Sequence, residues 1–189
     1  MRAATIARLL SLIALLLPLV GLHCACSAEA EPAPRSGPAV GTIAPEIEGE
    51  DLDGREMKLS DLRGKVVLLA FWGDWQTPCR ALYTHQRTLL EKFGDRPFEI
   101  VGVNSDTQIE RLKRVLEKQK IAWRSFSNGP KGPAGPIARE WGIETWPTVC
   151  VIDAKGKVRY RASNAEIEPL ERAITRVLAE LEPPVSDAK

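Results

Sequence analysis

"KVVLLAFWGDWQTPCR", residues 65–80, decides how this chain is read. After Lys65 it runs Val66 to Trp72 without a polar residue. Such a run, with no alternation, predicts a strand covered on both faces. Gly73 and Asp74 end the run, and Pro78 then stands where a first-turn proline would open a helix. "CRALYTHQRTLLEKFG" (79–94) continues that helix, with Leu82, Leu89, Leu90 and Phe93 on one side and Gly94 as its stop. The short loop between strand and helix holds Trp75, Gln76, Thr77 and Pro78, and Cys79 follows it.

The flanks supply the remaining elements. "GEDLDGREMKLSDLRG" (49–64) carries Asp53-Gly54 between two short segments, a hairpin signal. "FEIVGVN" (98–104) is a second buried strand, and "TQIERLKRVLEKQ" (107–119) sets Ile109, Leu112, Val115 and Leu116 on a helical stripe. A short helix fits "GPIAREWG" (135–142). "PTVCVID" (147–153) and "KVRYRA" (157–162) form a strand pair turned at Lys155-Gly156, and Pro169 opens a last helix carrying Leu170, Ile174, Val177 and Leu181. Strands alternating with helices, closed by a hairpin, predict an α/β fold. A central mixed β-sheet is flanked by helices, with an N-terminal β-hairpin. "SNGPKGPAGP" (127–136) reads as a Gly/Pro-rich connection.

The 189 residues suffice for one domain with terminal extensions, and 44% apolar with 27% charged residues indicate a packed core. Basic and acidic residues number 26 and 25, with no long run of one sign, so no nucleic-acid partner is expected. Arg2, Arg8 and the apolar "LLSLIALLLPLVGL" (Leu9–Leu22) make residues 1–28 a targeting segment too short for a full membrane span. Three endings stand open: lipidation at Cys24 or Cys26, though neither "GLHC" nor "HCAC" fits the usual lipobox well; cleavage after Ala28 or Ala30; or an uncleaved N-terminal membrane anchor. Each implies export, to the periplasm or cell envelope. Residues 29–44, opening with "EAEPAPRSGPAVG", read as an extended tether, residues 45–182 as the folded domain, and "PPVSDAK" (183–189) as a disordered tail.

Four stretches carry a resemblance: "LSDLRGKVVLLAFWGDW", "PCR" opening a helix, "EIVGVNSD", and "WGIETWPTVCVIDAKGKV". In this order and spacing the chain resembles the thioredoxin-like superfamily, most closely its exported TlpA/ResA-type thiol–disulfide oxidoreductases and redoxins. The resemblance implies that Pro147 is the family's cis-proline beside the active-site loop. It also implies that Cys79 is the second cysteine of a W-C-x-x-C motif, and that clients or redox partners are proteins held in a groove near Trp146 and Pro147.

At the motif's first position stands Gln76. The leading cysteine of such a site is the exposed nucleophile, its thiolate favoured by the helix N-terminus. A neutral amide can neither attack a disulfide nor leave from one, so the dithiol cycle cannot run within this motif. For Cys79 two readings stand: a weak monothiol, or an inert part-buried thiol with a raised pKa. Cys150 alternates with Val149 and Val151 and reads as a core thiol; a Cys79–Cys150 disulfide is conceivable by the fold.

Other chemistries lack their residues. A peroxidatic cysteine would stand near Gln76 with a Thr three residues earlier, and Thr77 is misplaced for that. His85 lies about 240° round the helix from Cys79 and reads as a surface residue, and no zinc-spaced Cys/His set exists. No metal or cofactor is expected. Trp72 reads as core, Trp75 and Trp146 as exposed walls of the groove, and Asp74 as a local helix cap. Two functions follow: a redox enzyme, or remnant of one, acting through Cys79, and a non-catalytic client-binding module using the cis-proline groove.

Overall fold

The computed structural model describes residues 37–164 and 166–181. The leader, Cys24, Cys26 and the tail 183–189 lie outside them. In chain order the elements are β1 (Glu48–Glu50), β2 (Glu56–Lys58), β3 (Val66–Trp72), α1 (Thr77–Phe93), β4 (Phe98–Asn104), α2 (Ile109–Gln119), β5 (Ser125–Ser127), α3 (Pro136–Glu140), β6 (Thr148–Ile152), β7 (Val158–Ser163) and α4 (Ile167–Ala179).

The main sheet runs β5-β4-β3-β6-β7. Its centre is β3, every residue of which is buried, with β4 parallel on one side and β6 antiparallel on the other. That double cover is why the sequence shows an apolar run rather than an alternation. β5 continues the parallel half and β7 the antiparallel half, so the sheet is mixed as expected. The helix α1 buries Cys79, Leu82, Tyr83, Leu89 and Phe93 along one stripe, and α4 buries Leu170, Ile174 and Val177. The two helices are joined by an ion pair between Lys92 and Glu171.

The hairpin β1–β2 forms where Asp53-Gly54 placed it, with Glu48 opposite Lys58, as a separate two-stranded sheet. It is bound to the main sheet by a bridge between Asp51 and Phe126 and by the Leu52 N–H donating to the Ser125 carbonyl (3.1 Å). β5 is the strand the sequence did not reveal. Residues 41–44, within the stretch read as tether, lie against β7: the Gly41 N–H donates to Val158 (2.7 Å) and the Ala44 N–H to Gly156 (2.9 Å).

The register sets up the site. Trp72 pairs with Asn104 at the ends of β3 and β4, and the Ser105 N–H donates to the Trp72 carbonyl (3.0 Å). At this same end Thr148 begins β6 opposite Phe71 and Ser163. The loops around residues 73–76, 105–108 and 145–147 therefore gather there with Asn164, where open α/β sheets bind their ligands.

Candidate functional site

The loop from β3 into α1 turns at Gly73, whose carbonyl accepts from the Gln76 N–H (3.1 Å). A Cβ on Gly73 would collide with the Trp75 indole, so glycine lets that ring fold back over the loop. The indole Nε1–H donates to Ser105 Oγ (3.0 Å), and Trp75 remains 42% exposed. The loop's carboxylate, Asp74, is buried. It accepts from the Tyr83 hydroxyl (3.3 Å) and pairs with Arg111 (3.5 Å), while its N–H donates to the Asp106 carboxylate (2.7 Å). Arg80 reaches back to the Asp74 carbonyl and donates to Thr77 Oγ1 (2.8 Å). Asp74 thus anchors the loop tertiarily instead of capping α1. The cap position is Gln76, in extended conformation and with no side-chain cap bond.

Pro78 occupies the first turn of α1, and Cys79 follows it, 1% exposed. Burial pushes its thiol up to about 11. A backbone hydrogen bond from Gly73 and the charge of Arg80 pull the other way, while Asp106 and Asp74 push it further up. Desolvation of the thiolate therefore outweighs the Gly73 hydrogen bond and the Arg80 charge. Cys150 is buried in β6, its thiol pushed up to about 12 by burial, and both cysteines are free, with no disulfide between them.

The Trp146–Pro147 peptide bond is cis, as the resemblance implied. Trp146 departs from expectation: it is 6% exposed, wedged between Phe71 and Trp75 with ring centroids 6.3 Å from each. Its ring supports the exposed Trp75 rather than offering an open wall. Trp72 is core as read, its ring edge-on to Tyr83 at 5.5 Å. His85 is also corrected, being half-buried on α1 with Nε2 enclosed and without a hydrogen-bond partner. Burial lowers its pKa below the ordinary imidazole value, partly offset by Glu171.

Clefts flank the loop tip. One, of about 450 Å³, lies between Pro78 and Leu82 of α1, Pro147, Asn164 and Ile167 at the start of α4. A second, of about 550 Å³, is lined by Trp75, Gln76, Pro133, Arg139, Glu144 and Trp146. A third, of about 280 Å³, lies across Trp75 from it, against Ser105, Asp106, Arg111 and Pro133. Cys79 lines none of the three. The structure thus places Pro78 and Pro147 on one cleft and Trp75, Gln76 and Trp146 on another, with the thiol lining neither.

Sequence reading missed Asp106, Ser105, Asn128 and Pro133. Asn128 is fully buried and ties the 127–136 segment down, donating to the Gly132 carbonyl (2.6 Å) and accepting from the Ala138 N–H (3.0 Å). That holds Pro133 at the border of two clefts. An Asn-Gly pair inside a proline-rich connection was the available signal, since an Asx side chain organises turns.

Comparison with known proteins agrees with this geometry. Residues 40–161, which enclose the whole loop, match the model of the AhpC/TSA family. The chain is 30% identical over 119 residues to the thiol-disulfide oxidoreductase ResA of Bacillus thuringiensis subsp. konkukian, covering 63% of this chain and 66% of the relative. It is 31% identical over 121 residues to ResA of Geobacillus thermodenitrificans, covering 64% and 67%. The chain thus spans about two thirds of the length of these curated relatives, just under that for the first. A solved structure from Chlorobium tepidum, described as a thiol:disulfide interchange protein DsbE, matches with a TM-score of 0.67 at 30% identity, over 75% of this chain and 99% of that one. A β3–loop–α1 unit beside a cis-proline, on this sheet order and within the matched residues, makes the chain a member of the AhpC/TSA family, of the ResA/TlpA type within the thioredoxin-like superfamily.

Proposed function

We propose that this chain is an exported member of the thiol–disulfide oxidoreductase family in which Gln76 replaces the leading cysteine, so that dithiol exchange is weak or absent, and that it holds client chains in the groove beside Pro147. The observation that carries the reading is the state of Cys79. A thiol titrating at about 11 is ionised to on the order of one part in ten thousand at neutral pH. It is also buried and lines none of the clefts a client would enter. Gln76 occupies the helix cap where an attacking thiolate would stand, and its amide carries no such chemistry.

The clefts suit binding. Trp75 is exposed yet fixed, through Ser105 and the ring of Trp146, so its contact area costs little further ordering on association. Export rests on Leu9–Leu22, with Cys24 or Cys26 as lipidation sites or Ala28 or Ala30 as cleavage sites. The proposed organisation is a leader (1–28), a tether (29–44) whose last residues, 41–44, dock on the body, a thioredoxin-like body (45–182) and a tail (183–189), acting in the periplasm or cell envelope on client or redox-partner proteins.

The test is alkylation of Cys79 against pH in the full chain, read peptide by peptide, with Gln76→Cys alongside. Slow labelling in the folded protein, rapid labelling on unfolding and no reduction of a model protein disulfide are expected, with exchange appearing in Gln76→Cys. Fast labelling with an apparent pKa below about 8.5, the free-cysteine value, would overturn the reading in favour of a monothiol enzyme.

A further inference from the structure

We propose that the cleft between α1, Pro147, Asn164 and the start of α4 selects client segments carrying an aliphatic side chain next to Lys or Arg; this rests on the client-binding reading above. This 450 Å³ cleft is lined by the apolar Pro78, Ala81, Leu82, Pro147 and Pro169. Ile167 stands on its rim 48% exposed, an aliphatic surface that a second aliphatic side chain would cover. The Asn164 N–H donates to the Pro147 carbonyl (2.8 Å), so two of the cleft's lining residues are bonded to each other.

Charge decides what enters beside the aliphatic group. The charged residues lining the cleft are Glu166 and Glu168, both exposed, and no Lys or Arg among the described residues lines it. Arg172 pairs with Glu168 at 3.3 Å from the next helical turn, in an exposed geometry that leaves the rim's sign negative. The cleft lined by Gln76 differs: it carries both Arg139 and Glu144, together with Trp75 and Trp146. The complement of the apolar, acid-rimmed cleft beside Pro147 is an aliphatic residue flanked by a cation. Both carboxylates also favour the start of α4 through its dipole, so the test must separate that role from recognition.

Two short labelled peptides, identical except for Lys or Glu on each side of a central Leu, are titrated by fluorescence anisotropy against the full chain and against a Glu166→Gln/Glu168→Gln variant. Glu117→Gln on α2 serves as a charge control, and circular dichroism with a melting curve reports on α4. The Lys peptide is expected to bind about three- to tenfold more tightly at low salt, as two solvent-exposed charge contacts allow. The preference should shrink with added salt, vanish in the double variant and persist in Glu117→Gln. Equal binding of both peptides to the wild type would overturn the acidic selection while leaving client binding in place. Failure of either peptide, and of an unfolded protein, to bind at all would overturn both.

Discussion

Cys79 sits between opposing influences that a single variant can weigh. Burial is the largest cause of its raised pKa, and Asp106 adds to it, while Arg80 acts against it. Asp106→Asn removes one of the carboxylates that disfavour the thiolate but leaves the burial. The thiol is expected to titrate lower than about 11 yet still above the free-cysteine value, as followed by thiolate absorbance in the ultraviolet. A fall below the free-cysteine value would mean that charge, not desolvation, governs the site. At the same scale, Trp75 is the exposed member of the aromatic stack, and its removal uncovers the ring of Trp146 beside it. Trp75→Ala should therefore lower the melting temperature only modestly while weakening peptide binding by about tenfold, the size of a modest aromatic hot spot.

At the scale of elements, the seam between α1 and α4 carries the clearest pH dependence. His85 faces Glu171, which is itself engaged by Lys92, and its Nε2 is enclosed without a partner. Burial disfavours the imidazolium there, so the folded pKa lies below the ordinary 6.5. Below 6.5 the unfolded chain takes up the proton more readily than the folded one, and stability drops as pH falls through the lower folded value. His85→Leu removes both the titration and the unpaired nitrogen. Denaturant midpoints at neutral pH and about pH 5 should differ less in this variant than in the wild type. Elements of this kind were legible where their own residues determine them: β3 and β4 as apolar runs, α1 and α4 as stripes, the hairpin from Asp53-Gly54. β5 was not, because Ser125–Ser127 has no pattern of its own and is a strand only through its bonds to β4 and to the hairpin. The site divided in the same way. Gln76 and the cis-proline position could be read locally, whereas the burial of Trp146 depends on Phe71 and Trp75. Likewise, Asp74 finds its partners in Tyr83 and Arg111, nine and 37 positions away.

For the molecule as a whole, both edges of the main sheet are covered by chain from its N-terminal side. Residues 41–44 lie on β7, and the hairpin reaches β5 through Asp51 and Leu52. Covering an edge removes a surface that would otherwise pair with another chain. The hairpin's hold depends on the buried Asp51 carboxylate, which accepts from the Asp53 and Arg55 N–H groups (2.9 Å each) and from Arg124 Nε (2.8 Å). Burial pushes this carboxyl up, but the hydrogen bonds from Arg55, Arg124 and Asp53 outweigh it and set its pKa below 3.8. Its contribution is therefore complete above 3.8 and is lost as pH falls through the lower folded value. Arg124→Ala leaves the carboxylate with its two backbone donors alone. Because the arginine is half-exposed, the cost should be about 1–2 kcal/mol, below that of breaking a fully buried pair. Acid unfolding should begin at higher pH in the variant. Hydrogen exchange locates the effect: amides of β1, β2 and β5 should lose protection first, while β3 and β4, buried at the sheet's centre, keep theirs. A uniform loss across all strands would instead mean that the hairpin and the main sheet open as one cooperative unit, and that the edge cover cannot detach separately.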